Sequence, residues 1–98
     1  MPATKALTIK DVVADNAKTL TYLLGQDVTA LTPAEFVEAL EGAGREFSDS
    51  FEHTNQNNGE AMTAAAVLLA GTLTIPADDP DVPVLLGRAR ARLRDTEI

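Results

Sequence analysis

Ala61-Met62-Thr63-Ala64-Ala65-Ala66-Val67-Leu68-Leu69-Ala70-Gly71-Thr72-Leu73 is a run of helix-forming residues without one charged side chain. A helix that is apolar on every face has to be covered on every face. The stretch is therefore expected to form a fully buried helix over about residues 60–74, at the centre of a compact all-α domain. Three other helices, or a second copy of the chain, would have to wrap around it. Extended to Ile75, the run measures about 22 Å as a helix, short of the roughly 30 Å that a bilayer core requires. It reads as a core helix, with no membrane contact.

Downstream, Ile75-Pro76-Ala77-Asp78-Asp79-Pro80-Asp81 is a turn-rich connector, since neither Pro76 nor Pro80 can continue a helix. A last helix is expected over 82–94. On it Leu85, Leu86, Ala89 and Leu93 form a narrow apolar stripe, with Arg88 and Arg92 on one side and Arg90 and Arg94 on the other. Upstream, Asn57-Asn58-Gly59 reads as a helix end with glycine in the left-handed position.

The helix that it would terminate is expected over 32–57. Thr32-Pro33-Ala34-Glu35 supplies an N-cap threonine, a proline in the first turn and the glutamate of a capping box. Phe36, Leu40, Ala43, Gly44, Phe47 and Phe51 then share one face, and Glu38, Glu41, Arg45, Asp49, Glu52 and Gln56 the other. Glu41–Arg45 and Arg45–Asp49 are spaced as i,i+4 ion pairs. Gly42 and Gly44 offer a bend or a close approach of another backbone.

A first helix is expected over 8–25, capped by Thr8 with Asp11 and stopped by Gly25. Asn16 interrupts its apolar stripe. It is read either as a core-edge amide bonded to a neighbouring backbone or as a specificity device between helices. Residues 1–6 and 95–98 are expected to be flexible ends of a single domain.

The bulk composition limits the chemistry. Ninety-eight residues make one domain. The absence of cysteine removes disulfides and thiolate metal sites, and fits a reducing, cytoplasmic setting. Met1–Lys10 has no apolar core, so no signal peptide is expected. The bias toward Ala, Arg and Asp, without Cys or Trp, suggests a bacterial or phage gene. The net charge of −7 disfavours nonspecific nucleic-acid binding. That charge is polarised: residues 1–87 hold four basic and thirteen acidic side chains, whereas residues 88–98 hold four arginines against Asp95 and Glu97.

Catalytic equipment is thin. His53 is the only histidine, and with Asp49 four residues before it the pair is read mainly as a solvated helix end. Ser48 and Ser50 lack a glycine elbow, and the scattered glycines form no phosphate loop. Asp78, Asp79 and Asp81 lack the spacing of a calcium loop. No catalytic residue, cofactor or metal is expected.

The composition points instead to a small acidic helical module that binds protein, self-associates as a homodimer and has a regulatory or adaptor role. The residues expected to face a partner are Arg88, Arg90, Arg92, Arg94, Leu86, Glu41, Asp49, Glu52, His53 and Gln56. Two other expectations stand beside this one. Glu35, Glu38, Glu41, Glu46, Asp49 and Glu52 could imitate phosphates and block a basic nucleic-acid-binding groove on another protein. Alternatively, the arginine-rich helix could bind nucleic acid weakly.

Overall fold

Thr8 and Thr32 each open a helix by the reciprocal arrangement that their sequences announce. The Thr8 hydroxyl accepts from Asp11 N–H at 3.2 Å, while Thr8 N–H donates to the Asp11 carboxylate at 3.0 Å. Thr32 and Glu35 repeat the exchange at 3.2 and 2.8 Å. In the computed structural model, which describes residues 7–98, five α-helices follow: α1 Ile9–Asp15, α2 Ala17–Leu24, α3 Pro33–Ser48, α4 His53–Thr72 and α5 Asp81–Arg94. A 3-10 turn at Val28–Ala30 joins α2 to α3, and no strand occurs among the described residues. The all-α expectation holds. That for residues 1–6 falls outside the described range.

The expected first helix is two helices. At Asn16 the backbone leaves helical geometry (φ −129°, ψ 27°), and its side-chain amide donates to the Leu93 carbonyl at 2.5 Å and to the Thr96 hydroxyl at 3.3 Å. The bond to Leu93 matches the core-edge reading of Asn16. Gly25 ends α2 with φ 71°, as its position suggests.

The boundary between α3 and α4 departs furthest from expectation. The second helix stops at Ser48, not at 57, and the Asn/Gln tract belongs to the first turns of α4. Three of its amides are structural ties. Asn55 donates to the Ser50 hydroxyl and Gln56 to the Ser50 carbonyl, which closes the turn between the helices. Asn58, 1% exposed, grips the backbone of Glu97 by donating to its carbonyl at 2.7 Å and accepting from its N–H at 3.0 Å. Residues 96 and 97 are thereby held against α4, in contrast to the loose end expected. Phe51, expected on the core face, lies in the turn and is 98% exposed.

Gly59 does not end a helix either. A methyl group there would collide with the Ser48 backbone nitrogen and lie 2.8 Å from the Gly44 carbonyl oxygen. A methyl group on Gly44 would in turn collide with the Thr63 hydroxyl. These glycines let α3 and α4 pack backbone against backbone, while Gly42 faces open space. The close pairs Gly44–Thr63 and Ser48–Gly59, like Gly71–Leu85 and Asn58–Glu97, place α3 and α5 antiparallel to α4 on its two flanks. With α1 and α2, these helices enclose a core that includes Val12, Leu20, Val28, Phe36, Leu40, Met62, Leu69, Leu86 and Leu93.

The central helix is not fully buried. Ala61, Met62, Ala65, Ala66, Leu69 and Thr72 are covered, but Glu60, Thr63 and Val67 face water, and Val67 is 67% exposed. Among the described residues no helix covers the side of α4 that faces away from this core.

Candidate interaction surface

The open side of α4 forms the ridge of a three-helix face, and Val67 stands at its middle. On one flank a shallow groove of about 390 Å³ runs between α3 and α4, lined by Glu41, Arg45, Ser48, Asp49, Thr63 and Val67. On the other a groove of about 570 Å³ runs between α4 and α5, lined by Ala64, Val67, Leu68, Arg88, Ala91 and Arg92. The open side of α4, on which Glu60 and Thr63 accompany Val67, therefore separates a mixed rim holding Glu41, Arg45 and Asp49 from one whose charged residues are Arg88 and Arg92. A third groove of about 700 Å³, with Ile9, Val13, Val28 and Leu31 in its walls, lies where α1, the 3-10 turn and the start of α3 meet.

The four arginines of α5 divide into two pairs. Arg94 lies against α1, donating to both carboxylate oxygens of Asp15 at 2.8 Å. These hydrogen bonds hold the Asp15 carboxyl below its ordinary value; the opposing desolvation comes next, and the charges of Arg94 and then Arg90 add to the lowering. Arg90 is half-buried on this same side. Arg88 and Arg92 are exposed on the other side, beside α4, and neither has an ion pair among the described residues. Because α4 separates α5 from α3, these two arginines do not reach the acidic helix of their own chain.

Asp15 makes one consequence measurable. A carboxyl lowered by folding stabilises the fold above its unfolded value, near 3.8, and that contribution fades as pH falls through the folded value. Asp15→Asn is therefore expected to flatten the acid limb of the stability profile below about pH 4 while leaving the folding of the chain intact. Urea midpoints recorded from pH 7 downward would show it, and an unchanged acid limb would refute it.

The remaining expected partner residues are spread unevenly. Glu41 and Asp49 line the α3–α4 groove, with Arg45 between them, yet neither i,i+4 pair closes to ion-pair distance. Glu52, at the end of the turn, and His53, the first residue of α4, are both exposed. Asp49 and His53 no longer share a helix, since the chain leaves helical geometry between them. Gln56 is half-buried and bonded to Ser50, so its amide is committed to the turn. Leu86 is 2% exposed and belongs to the core, a correction that follows from its place at the centre of the α5 apolar stripe. Val67, the centre of the surface, was missed because a run with no charge gives no sign of which side stays uncovered.

No group of three or more His, Asp or Glu side chains is placed to hold a metal ion among the described residues. Nor is any helix among them long and apolar enough to cross a membrane. Comparison with known proteins found no matching family, no matching curated protein and no matching solved structure.

Proposed function

We propose that this chain is a small acidic interaction module that acts by associating with protein surfaces, in the first place a second copy of itself. Its role would be regulatory or adaptor-like, without catalysis, in a reducing cytoplasmic setting that suits a chain without cysteine. The observation that carries this reading is Val67, a β-branched apolar side chain left 67% exposed on the open side of α4, between the two grooves that flank it. Half-buried Ala64 and Leu68 extend its apolar area toward α5, and an apolar patch rimmed by charge is a usual form of docking surface.

Light scattering coupled to size exclusion tests it. At micromolar concentration the wild type is expected to have twice the mass of one 10.4 kDa chain. Val67→Glu is expected to weaken association at least about tenfold, because it places a charge in the centre of the buried patch. A wild type that stays a single chain at about 100 μM, well above the micromolar affinities of modest interfaces, would overturn self-association.

One observation favours a second reading, an acidic decoy for a basic groove. Glu35, Glu38, Glu41, Glu46, Asp49 and Glu52 are all exposed, and no cation among the described residues is within ion-pair distance of them. Binding to such a partner would weaken steeply with salt, whereas association over the Val67 ridge would respond mildly. Nucleic-acid binding through α5 has less support, since Arg90 and Arg94 lie beside Asp15.

A further inference from the structure

Two separate packing demands meet at one dipeptide of α4. Position 58 needs a carboxamide, which both donates to the Glu97 carbonyl and accepts from the Glu97 N–H. A carboxylate in its place could accept but not donate. Position 59 needs glycine, because a methyl group there would collide with the backbone of Ser48. The result is Asn-Gly, the pairing in which an asparagine side chain is most open to attack by the main chain that follows it. Glycine leaves its own nitrogen unhindered and its backbone free to turn toward the side chain. The other asparagines, Asn16, Asn55 and Asn57, precede Ala17, Gln56 and Asn58, whose side chains hinder that approach.

We infer that Asn58-Gly59 is a site of spontaneous covalent modification, protected while α4 is packed and converted to aspartate or isoaspartate when it opens, which makes the opening irreversible. The Gly59 amide nitrogen, on losing its proton, attacks Cγ of Asn58. The new N–Cγ bond closes a five-membered imide, the Cγ–Nδ2 bond breaks, and the side-chain nitrogen leaves as ammonia. Water then opens the ring at either carbonyl, giving aspartate or isoaspartate. No oxidant, metal or enzyme is required, and the chemistry is the same in one chain or two.

The folded protein blocks the first step three times over. Gly59 lies inside α4, where α-helix geometry turns its N–H back toward the carbonyl of Asn55, away from the Asn58 side chain. The Asn58 carboxamide is 1% exposed and held from both ends by Glu97. The imide ring fixes the backbone at Asn58 outside helical geometry, and the contacts of Gly59 with α3 leave no room for that turn. Reaction therefore waits for local opening of the seam.

Each product prevents the seam from closing as before. Aspartate at 58 puts a charge where the native side chain is buried and removes the donor to the Glu97 carbonyl. Isoaspartate adds a methylene to the main chain itself, which the α-helix cannot absorb. The chain thus carries a record of its own opening at the residue that fastens its C-terminal end.

Mass spectrometry of the full chain tests this at mildly alkaline pH, in native buffer and in guanidinium chloride above the unfolding midpoint. In denaturant the chain is expected to gain roughly one dalton, the difference between an amino and a hydroxyl group, and one negative charge. Peptide mapping is expected to confine the change to Asn58. In native buffer conversion is expected to be at least about a hundredfold slower, because it tracks the small open population. Converted chains returned to native buffer are expected to unfold at lower denaturant and to lack hydrogen-exchange protection at the Glu97 amide.

Two variants separate the chemistry from the fold. Gly59→Ala in denaturant, where packing has no influence, is expected to slow conversion at least about tenfold. Glu97→Pro removes the N–H that Asn58 accepts and leaves the dipeptide intact, so conversion in native buffer is expected to rise at least about tenfold. Equal rates in native buffer and denaturant would overturn protection by the fold, as would an unchanged native rate in Glu97→Pro. No conversion in denaturant, or conversion chiefly at another asparagine, would overturn the site. Converted chains that refold with the wild-type midpoint would overturn irreversibility.

Discussion

Gly59→Ala is expected to destabilise the fold by about 2 kcal/mol, although alanine is the better helix former by close to 1 kcal/mol. The added methyl group would meet the backbone of Ser48 and the carbonyl of Gly44, and backbone cannot rotate away as a side-chain tip can. Relief requires α3 and α4 to separate along the seam where Gly44, Gly59 and Thr63 touch. The core side chains along that seam, Leu40, Met62 and Ala66, would then lose contact. The same substitution at Gly42, which faces open space inside α3, is expected to raise stability by about 0.5–1 kcal/mol. Opposite signs for one chemical change on neighbouring helices cannot come from propensity alone. Urea denaturation of the two variants measures both. Equal effects would show that α3 and α4 do not approach at Gly59.

The second large effect is expected at Asn58. Its carboxamide is buried and makes two hydrogen bonds to the backbone of Glu97, as an adjacent strand would. Asn58→Ala removes both, leaves a small void beneath the C-terminal residues and strands polar backbone at the edge of the core. Loss of a buried pair of this kind costs about 2 kcal/mol, which in a domain of this length lowers Tm by roughly 10 °C. Asn58→Asp should be nearly as damaging, because a carboxylate cannot donate to the Glu97 carbonyl. The Glu97 amide is expected to lose its hydrogen-exchange protection in both variants. Unchanged protection would mean that the C-terminal residues are held by other means.

Much of this architecture was legible in the sequence where local chemistry decides it. The Thr8 and Thr32 capping boxes, the Gly25 stop and the arginine pairs on opposite sides of the α5 stripe all rest on residues within a few positions of one another. What failed was decided at a distance. Asn57-Asn58-Gly59 carries the local signature of a helix end, but its glycine is there because another helix passes within contact of it. Asn16 marks a break between helices because its amide is drawn to the end of α5, 77 residues away. The uncovered side of α4 was illegible for a related reason: uniform apolarity says that a segment is to be covered without saying by what. The acidic and cationic residues of the surface were visible as composition, but their arrangement on the two sides of one ridge appears only in three dimensions.

Val67 is proposed to lie in the middle of the surface at which this chain meets a second copy. Amide chemical shifts followed while the protein is diluted from about 500 μM to 10 μM, a range that brackets micromolar association, test it most directly. Dilution is expected to move the resonances of Thr63, Ala64 and Val67 together with Glu41, Arg88 and Arg92, along one binding curve. Shifts that do not change with concentration, or that change only around Ile9, Val13 and Leu31 at the third groove, would contradict it.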